Sequence, residues 1–358
     1  MSSFGEADLG LYRVLSPDGQ LLGELDPTVS DDLLLKMMRE MVMLRTFDIW
    51  MMKIHPLGKA SRYAPVEGQE ASVVGSFEAL SENDWVFPTY RELTINLLRG
   101  TPLTILLHRL FATGLDPLKG HEITLFGDKS RRVVVGPGAV SLMCPIAVGM
   151  AMAAIRRGEK DVFVVYLGDG ATSKGDFHEA INWAGVFKTP VIFFVQNNQW
   201  AISVPVTRQT ASPTIAVKGK AYGVPGFRVD GNDVIAVYDV CKRFVEKARK
   251  GEGPALIEAV TYRMGPHTTV DDPSRYRSDE EVERMRRLDP LDRLRKYLLN
   301  RRLWSLDEER RFVEKFKERL RAATEEAEKA PPLPLKAVFE DVYANPPWHL
   351  LEEMEEAV

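Results

Sequence analysis

Two short polar motifs, Gly168-Asp169-Gly170 and Asn197-Asn198, combine residue types that can hold a metal ion and a phosphate group. Each follows a short apolar run typical of a buried strand, and 26 residues lie between them. A turn, a helix of about 14 residues and a returning parallel strand fit this spacing and would bring both motifs to one edge of a sheet. Oxygens from Asp169 and Asn198, completed by a backbone carbonyl and phosphate oxygens, suit Mg²⁺. Because glycine lets backbone N–H groups approach a diphosphate closely, the sequence predicts a magnesium and diphosphate site.

Other phosphate-binding motifs fit this chain less well. A P-loop has glycine before its lysine, whereas Ser173 precedes Lys174. A haloacid-dehalogenase-type phosphatase also has a late Gly-Asp-Gly, but the early DxDxT motif that carries its nucleophile is missing. No GxGxxG follows an early strand, which argues against a nicotinamide-binding Rossmann domain. Gly-Asp-Gly alone is more often a tight turn, so the interpretation as a site depends on its pairing with Asn197-Asn198.

The sequence around these motifs alternates strand and helix patterns. Residues 161–167 and 190–196 are near-continuous apolar runs, as in strands covered on both faces. Between them, residues 175–187 carry an apolar stripe at helical spacing. A strand at 227–229, a helix at 234–250 and a strand at 255–262 repeat the alternation. We therefore predict an α/β fold with an open, mostly parallel sheet and helices on both faces, whose ligands bind beyond the carboxyl ends of the strands.

Three regions are expected along the chain: an extended N-terminal arm (1–30), an α/β domain (31–278), and C-terminal helices with a tail (279–358). The domain begins with a predicted helix at 31–54 and includes a polar loop at 264–278, since a loop this long is usually functional. The charged segment 279–329 predicts solvent-facing helices. Prolines at 331–334 mark a break before a tail expected to be poor in helix.

The composition excludes several classes of protein. Lys and Arg number 47 and Asp and Glu 51, giving a net charge of −4 and a pI near 6.0, which argues against a nucleic-acid partner. Two cysteines and an acidic start without an apolar core argue against a disulfide framework and export, so we expect a cytoplasmic protein. Residues 133–155 are uncharged, but their prolines and glycines favour a buried loop leading into a small-residue helix over a membrane span.

The segment GDGATSKGDFHEAINWAGVFKTPVIFFVQNNQWAIS contains both motifs and resembles the thiamine-diphosphate motif of one family. This family is the alpha subunit of the decarboxylase component of 2-oxo acid dehydrogenase complexes. The likeness covers most of the chain and extends to LDPTVSDDLLLKMMREM, VEGQEA, DWVFPTYRE, RVDGNDVIAVYDV, YRMGPHTTVDDPSRYRS, DRLRKYLLNRRLW and FEDVYANPPWHL. LDPT, YRS and FEDVY are most similar to the branched-chain members. The resemblance implies a thiamine diphosphate-binding fold.

The resemblance also implies roles for individual residues. The Mg²⁺ ligands would be Asp169, the Asn198 side chain and the Trp200 carbonyl. Contacts to thiamine diphosphate would come from Tyr90, Arg91, Val140, Gly168, Asp169, Gly170, Ala171, Asn198, Arg263 and His267. Among these, Arg91 suits a diphosphate because guanidinium is always charged and binds such anions in a bidentate manner.

The chemistry implied by the family is oxidative decarboxylation, in which the thiazolium ring accepts the electrons released when a 2-oxo acid loses CO₂. His267 would be catalytic, donating or stabilising a proton, because imidazole titrates near neutrality. The glutamate that activates the cofactor belongs, in this family, to the beta subunit. Glu67 and Glu70 are local candidates, for which we prefer a structural role.

The implied assembly is a heterotetramer of two alpha and two beta chains, with the lipoyl domain of the transacylase as acceptor of the acyl group. The chain alone is then expected to bind cofactor poorly and to lack activity. Branched-chain 2-oxo acids are the first choice of substrate, and pyruvate and acetoin are alternatives. A noncatalytic homologue and a phosphatase are the hypotheses from other classes.

Departures from the family pattern occur at 119–126, which reads KGHEITLF, and at 136–144, which reads GPGAVSLMC. The second lacks the Ser/Thr/Gln-rich turn that serves the aminopyrimidine and a potassium ion in branched-chain members, so potassium is not among the predicted ligands. Gln196 stands where relatives have arginine, which removes one positive charge from the diphosphate site.

Overall fold

A parallel sheet lies at the centre of the protein. The computed structural model describes residues 10–23, 29–121, 126–136 and 138–357. Its strands are β1 (Trp85–Phe87), β2 (Phe163–Gly168), β3 (Val191–Asn197), β4 (Trp200–Ala201), β5 (Val204–Pro205), β6 (Gly226–Asp230) and β7 (Ala255–Val260). Five of them pair in parallel in the order β1-β2-β3-β7-β6, whereas β4 and β5 form a separate antiparallel hairpin. The predicted open, mostly parallel sheet is confirmed.

The helices cover both faces of this sheet, as predicted. They are α1 (Asp31–Ile54), α2 (Glu70–Glu78), α3 (Ile95–Leu98), α4 (Leu103–Phe111), α5 (Met143–Arg156), α6 (Gly175–Phe187), α7 (Val234–Arg249), α8 (Asp279–Arg286), α9 (Pro290–Asn300), α10 (Leu306–Lys329) and α11 (Trp348–Ala357). Helices α1 and α6 begin and end at the predicted residues, and α7 is one residue shorter than predicted.

Alternate residues of the central strands enter two separate cores. Val164 and Tyr166 of β2 pack with α1, α2 and α7 on one face, whereas Phe163, Val165 and Leu167 pack with α5 and α6 on the other. This is the two-residue period of a strand, and it explains why β2 and β3 are apolar at nearly every position.

The register of β2 and β3 places the two polar motifs side by side. Gly168 at the end of β2 pairs with Gln196 near the end of β3, so Asp169 and Asn197 leave the sheet as neighbours. The short 3₁₀ turn Gly170–Ser173 and then α6 follow Asp169, as the predicted strand-turn-helix-strand unit requires.

Helix α10 packs the charged C-terminal region against helices α1 and α4. It buries Phe316, Leu320 and Ala323 against α1 and α4, while its other side carries charge to solvent. The prediction of a helix-poor tail is wrong, because α11 occupies Trp348–Ala357. Prolines end at 347, and the Leu, Glu, Met and Ala residues that follow have high helix propensity.

The described part of the N-terminal arm contacts the edge of the sheet. Tyr12 bridges Val229 of β6 in parallel, and the backbone N–H groups of Val14 and Leu15 donate to Asp233 Oδ2. Residues 1–9, 24–28, 122–125 and 137, which belong to the arm and to the two departures from the family pattern, lie outside the described residues. The division into three regions stays a prediction.

The uncharged segment 133–155 leads into α5, a helix rich in small residues. Cys144, Ala147, Val148, Ala151 and Ala154 are its buried side chains. Within the described part of the chain, no helix combines the length and the apolar character that a membrane crossing requires.

Candidate functional site

A cavity of about 240 Å³ lies where β2 and β3 end. The predicted site residues that line it are Tyr90, Arg91, Val140, Gly168, Asp169, Gly170, Ala171, Asn198, Trp200 and His267. Arg263 does not line the cavity, but its guanidinium lies 3.3 Å from both the Trp200 carbonyl oxygen and His267 Nδ1. The topology therefore gathers residues from five separate segments, which the chain order alone does not bring together.

Asp169 is a buried carboxylate whose side chain is bound by an amide. Only 2% of the residue is exposed, and its Oδ2 accepts a hydrogen bond from Gln209 Nε2 at 2.6 Å. Burial raises the pKa of this carboxyl group, although the Gln209 hydrogen bond and the charge of Arg263 act in the opposite direction. A buried carboxylate without an ion-pair partner is costly, so a cation is the group that would complete this site.

The other two predicted metal ligands lie in the same cavity. Asn198 Oδ1 accepts from the Trp200 backbone N–H at 3.2 Å, and Asn198 Nδ2 donates to Gln69 Oε1 at 3.1 Å. Among the described residues there is no group of three His, Cys, Asp or Glu that could hold a metal ion. A cation here would therefore depend on one carboxylate, amide and carbonyl oxygens, and the oxygens of a bound anion, which is the ligand set that Mg²⁺ accepts.

Gly170 allows the β4–β5 hairpin to approach the end of β2. A Cβ at this position would lie 2.5 Å from the Cβ of Ala201, closer than non-bonded carbon atoms approach each other. Close packing of the hairpin is thus one reason for glycine here, beside the approach of a diphosphate that the sequence suggests. Ser141 Oγ donates to the Ala171 carbonyl and so connects this turn to the loop that contains Val140.

Two buried guanidinium groups provide positive charge beside the cavity. Arg91 donates to the Pro65 carbonyl at 2.6 Å, and Arg263 donates to the Ile202 carbonyl at 2.8 Å. Burial, together with the neighbouring charge of Arg91, lowers the pKa of Arg263 to about 10. Their hydrogen-bond partners among the described residues are neutral oxygens and nitrogens, so an anionic ligand would relieve the repulsion between these two cations.

His267 is neutral in this environment. Burial and the charges of Arg91 and Arg263 lower its pKa to about 3, so the expectation that its imidazole titrates near neutrality is wrong for the ligand-free chain. Both arginines point an N–H group at Nδ1, at 3.1 and 3.3 Å. Since a guanidinium only donates, Nδ1 must accept, and the ring carries its proton on Nε2.

Comparison with known proteins connects this geometry to one family. Residues 38–336 match the Dehydrogenase E1 component family. The chain belongs to this family. It is 44% identical over 340 residues to the 3-methyl-2-oxobutanoate dehydrogenase subunit alpha of Mycobacterium tuberculosis, covering 94% of this chain and 90% of that protein. It is 38% identical over 348 residues to the pyruvate dehydrogenase E1 component subunit alpha of Staphylococcus aureus, covering 96% and 92%.

The predicted resemblance is confirmed by these matches. The chain is an E1 alpha subunit of a 2-oxo acid dehydrogenase, an oxidoreductase, and membership of the E1 family implies thiamine diphosphate as its cofactor. The residues assigned to the cofactor and the metal stay predictions, supported by their common cavity.

Neither Glu67 nor Glu70 lines the cavity at the ends of β2 and β3. Glu70 is fully buried and pairs with Arg45, which also contacts Asp289, so it connects α1, α2 and the start of α9. Glu67 lies 3.4 Å from Arg286. These contacts are consistent with the structural role preferred for both.

Sequence reasoning missed the polar residues that hold the site residues in place. Thr89, Glu92 and Gln69 line the cavity, and Gln209 contacts Asp169. Gln196, which the sequence already indicated at the diphosphate site, lines the cavity as well. Glu92 accepts from Thr89 and from Gln196 Nε2, so this carboxylate is already bonded. Thr89 and Glu92 lie beside the assigned residues Tyr90 and Arg91 in the motif PTYRE, which was a usable signal. Gln69 has no assigned residue beside it. Gln209 lies in a segment with no such motif.

Proposed function

We propose that this chain binds thiamine diphosphate and Mg²⁺ in the cavity at the ends of β2 and β3. As an E1 alpha subunit it would thereby support the oxidative decarboxylation of branched-chain 2-oxo acids. One observation carries the proposal: the cavity is lined by a buried carboxylate that needs a cation, Asp169, and by a buried guanidinium group, Arg91. A second buried guanidinium group, Arg263, contacts the same His267 nitrogen as Arg91, and the two positive charges together need an anion. A magnesium diphosphate satisfies both requirements at once.

The ligand set divides between the ion and the cofactor. Asp169, the Asn198 amide oxygen and the Trp200 carbonyl would hold Mg²⁺, whereas Arg91 and Arg263 would neutralise the diphosphate. Further contacts to the cofactor are assigned to Tyr90, Val140, Gly168, Gly170, Ala171 and His267. When bound, the thiazolium of thiamine diphosphate supplies the electron sink that decarboxylation requires.

His267 would act from its Nε2 side. Its Nδ1 is occupied by N–H groups of Arg91 and Arg263, so the neutral ring offers Nε2–H as a donor. A diphosphate bound to the two arginines would offset their charge, which raises the pKa of His267 from its ligand-free value. Cofactor binding would thus bring the imidazole towards the pH range in which it can exchange a proton.

The binding unit is proposed to be residues 31–278, including the loop 264–278. Arg277 supports this grouping, since its guanidinium donates to the Met264 carbonyl at 2.9 Å and to the Gly265 carbonyl at 2.6 Å. These bonds close the loop that carries His267. Residues 1–30 and 279–358 would then stabilise this unit from outside.

A beta subunit is proposed to complete the site. The only carboxylates among the described residues that line the cavity are Asp169 and Glu92, and both already accept hydrogen bonds. The carboxyl group that activates the cofactor would come from the beta chain of a heterotetramer with two alpha and two beta chains. The acyl group would then pass to a lipoyl domain of the transacylase.

The substrate proposal depends on similarity to the named relatives. Identity to the branched-chain relative is 44%, against 38% for the pyruvate relative over similar lengths. We therefore place 3-methyl-2-oxobutanoate first and pyruvate second. Assays of the complete complex with both acids should give the higher kcat/KM with the branched-chain acid, whereas turnover of neither would favour a noncatalytic homologue.

The site itself is tested by calorimetric titration of thiamine diphosphate with Mg²⁺ into the chain co-expressed with its beta subunit. Asp169→Ala and Asn198→Ala should each abolish binding, and Asp307→Ala, at an exposed position of α10, should leave it unchanged. Absence of binding by the wild-type complex, or unchanged binding in both site variants, would contradict the proposal.

A further inference from the structure

Two glutamine side chains contact the two side-chain ligands proposed for Mg²⁺, one each. Gln209 Nε2 donates to Asp169 Oδ2 at 2.6 Å and to the Val204 carbonyl at 2.9 Å. Gln69 Oε1 accepts from Asn198 Nδ2 at 3.1 Å. The two glutamines come from distant parts of the chain, one before α2 and one after the β4–β5 hairpin.

The backbone around each glutamine is fixed by its own hydrogen bonds. Gln69 N–H donates to the Val66 carbonyl at 2.7 Å, and the Gln69 carbonyl accepts from Val73 in the first turn of α2. Gln209 N–H donates to the Val206 carbonyl at 3.0 Å. Both side chains therefore extend from ordered backbone, which allows them to set the orientation of what they contact.

The orientation matters most for Asn198. An amide has one oxygen and one NH₂ group, and only the oxygen ligates a hard cation. A backbone N–H can only donate, so the contact with the Trp200 N–H identifies Oδ1 of Asn198, and the Asn198 NH₂ group then faces Gln69 Oε1, which accepts from it. The Trp200 backbone N–H contacts Oδ1 from the other side. The amide is thus held with its oxygen away from Gln69 and free to serve as a ligand through a second lone pair.

Each glutamine has one buried side-chain atom that finds no hydrogen-bond partner among the described residues. These atoms are Gln69 Nε2 and Gln209 Oε1. Gln209 Oε1 also lies over Gly170, 3.2 Å from where a Cβ would be. A buried amide atom without a partner destabilises the fold, so stability alone does not account for these two residues.

We propose that Gln69 and Gln209 are positioning residues that orient the Mg²⁺ ligands Asn198 and Asp169, one by accepting and the other by donating a hydrogen bond. This inference rests on the proposed function, since it concerns the metal of that site. Outer contacts of this kind change metal affinity about 10- to 100-fold when they are removed.

The opposite roles of the two glutamines give a reciprocal test. Gln69→Glu keeps an oxygen that accepts from Asn198, whereas Gln209→Glu replaces the donor with a carboxylate that faces Asp169. We expect Gln69→Glu to keep metal affinity near that of the wild type. Gln69→Ala, Gln209→Ala and Gln209→Glu should each weaken it about 10- to 100-fold. Residues that only fill space would not show this asymmetry.

The measurement is a titration of Mn²⁺, followed by electron paramagnetic resonance, into the chain assembled with its beta subunit and saturated with thiamine diphosphate. Thr207→Ala is the matched control, because Thr207 is an exposed residue of the 3₁₀ turn Val206–Arg208, which directly precedes Gln209. Thermal unfolding without metal identifies any variant that fails to fold. The comparison of Gln69→Glu with Gln209→Glu then decides whether the glutamines orient the ligands, because both variants keep the size of the side chain.

Two outcomes overturn different parts of the argument. If the wild-type complex binds Mn²⁺ no better than Asp169→Ala, the proposed function fails, and this inference with it. If Asp169→Ala loses the ion but the four glutamine variants match the wild type, or if both glutamate variants behave alike, only the positioning role is wrong.

Discussion

At the scale of single residues, the site places groups of like charge close together, and this lowers the stability of the ligand-free chain. Arg91 and Arg263 both contact His267 Nδ1, and their charges keep the imidazole neutral. Asp169 is buried with a raised pKa. In the ligand-free chain these groups oppose folding, and a bound magnesium diphosphate would offset each of them.

The pH dependence of stability should reveal the neutral state of His267. Its pKa is about 3 in the folded chain and near 6.5 when unfolded, so below pH 6.5 the unfolded chain takes up a proton that the folded chain does not. Stability therefore falls as pH falls through this window. His267→Gln keeps an acceptor for the arginines but cannot titrate. In thermal unfolding of the ligand-free chain, the variant should lose less Tm between pH 7 and pH 5 than the wild type. Equal losses would contradict the lowered pKa of His267.

Asp169→Asn should separate stability from function. The asparagine oxygen can still accept from Gln209, and the variant removes a buried charge, so we expect the ligand-free chain to gain about 1–3 kcal/mol. Metal binding should be lost at the same time. Chemical denaturation measures the first effect and Mn²⁺ titration the second. A destabilised variant would show that the carboxylate already has adequate partners in the ligand-free chain.

At the scale of elements, the position of the β4–β5 hairpin against the end of β2 depends on Gly170. Gly170→Ala would force its Cβ against that of Ala201 and should cost about 1–3 kcal/mol in the ligand-free chain. Gly168→Ala is the matched control, because nothing lies within 4 Å of a Cβ there. Gly168 lines the cavity, so its substitution should affect ligand affinity rather than folding. Similar Tm values for the two variants would rule out the packing role of Gly170.

The elements that could be predicted are those whose apolar residues follow a regular pattern along the sequence. Helix α6 and strands β2 and β3 are examples, since their apolar residues repeat at 3.6 or run continuously through a covered strand. The β4–β5 hairpin could not be predicted, because two-residue strands have no period and Ile202 adopts a positive φ of 55° that its residue type disfavours. Helix α11 was hidden by the prolines before it.

The candidate site shows the same division. Asp169 and Asn198 could be found because the strand-helix-strand spacing brings chain neighbours of β2 and β3 together. Gln69 and Gln209 could not, since their contacts join segments that are 129 and 40 positions away from the residues they hold. The low pKa of His267 also escaped the sequence, because it follows from tertiary contacts with two arginines that lie apart in the chain.

At the scale of the whole molecule, the cavity offers charged groups for a metal and a diphosphate, but the described residues that line it include no carboxylate without a hydrogen-bond partner. Among the described residues that line it, Glu92 is bonded to Thr89 and Gln196, and Asp169 to Gln209. A chain with this site would hold one end of the cofactor and leave the other end to a second polypeptide. The affinity for cofactor should therefore belong mostly to the assembly.

If cofactor affinity depends on the assembly, thiamine diphosphate and Mg²⁺ should stabilise the complex more than the isolated chain. A ligand at 100 times its Kd stabilises the folded state by about 2.7 kcal/mol, whereas one far below its Kd contributes almost nothing. With the same concentrations of thiamine diphosphate and Mg²⁺, the Tm of the isolated chain should hardly change, and that of the chain with its beta subunit should rise clearly. The complex carrying Asp169→Asn is the control and should show no rise, because its beta subunit is intact but the metal ligand is gone. An isolated chain with the full shift would mean that its own residues complete the site, and the beta subunit would then be needed for turnover alone.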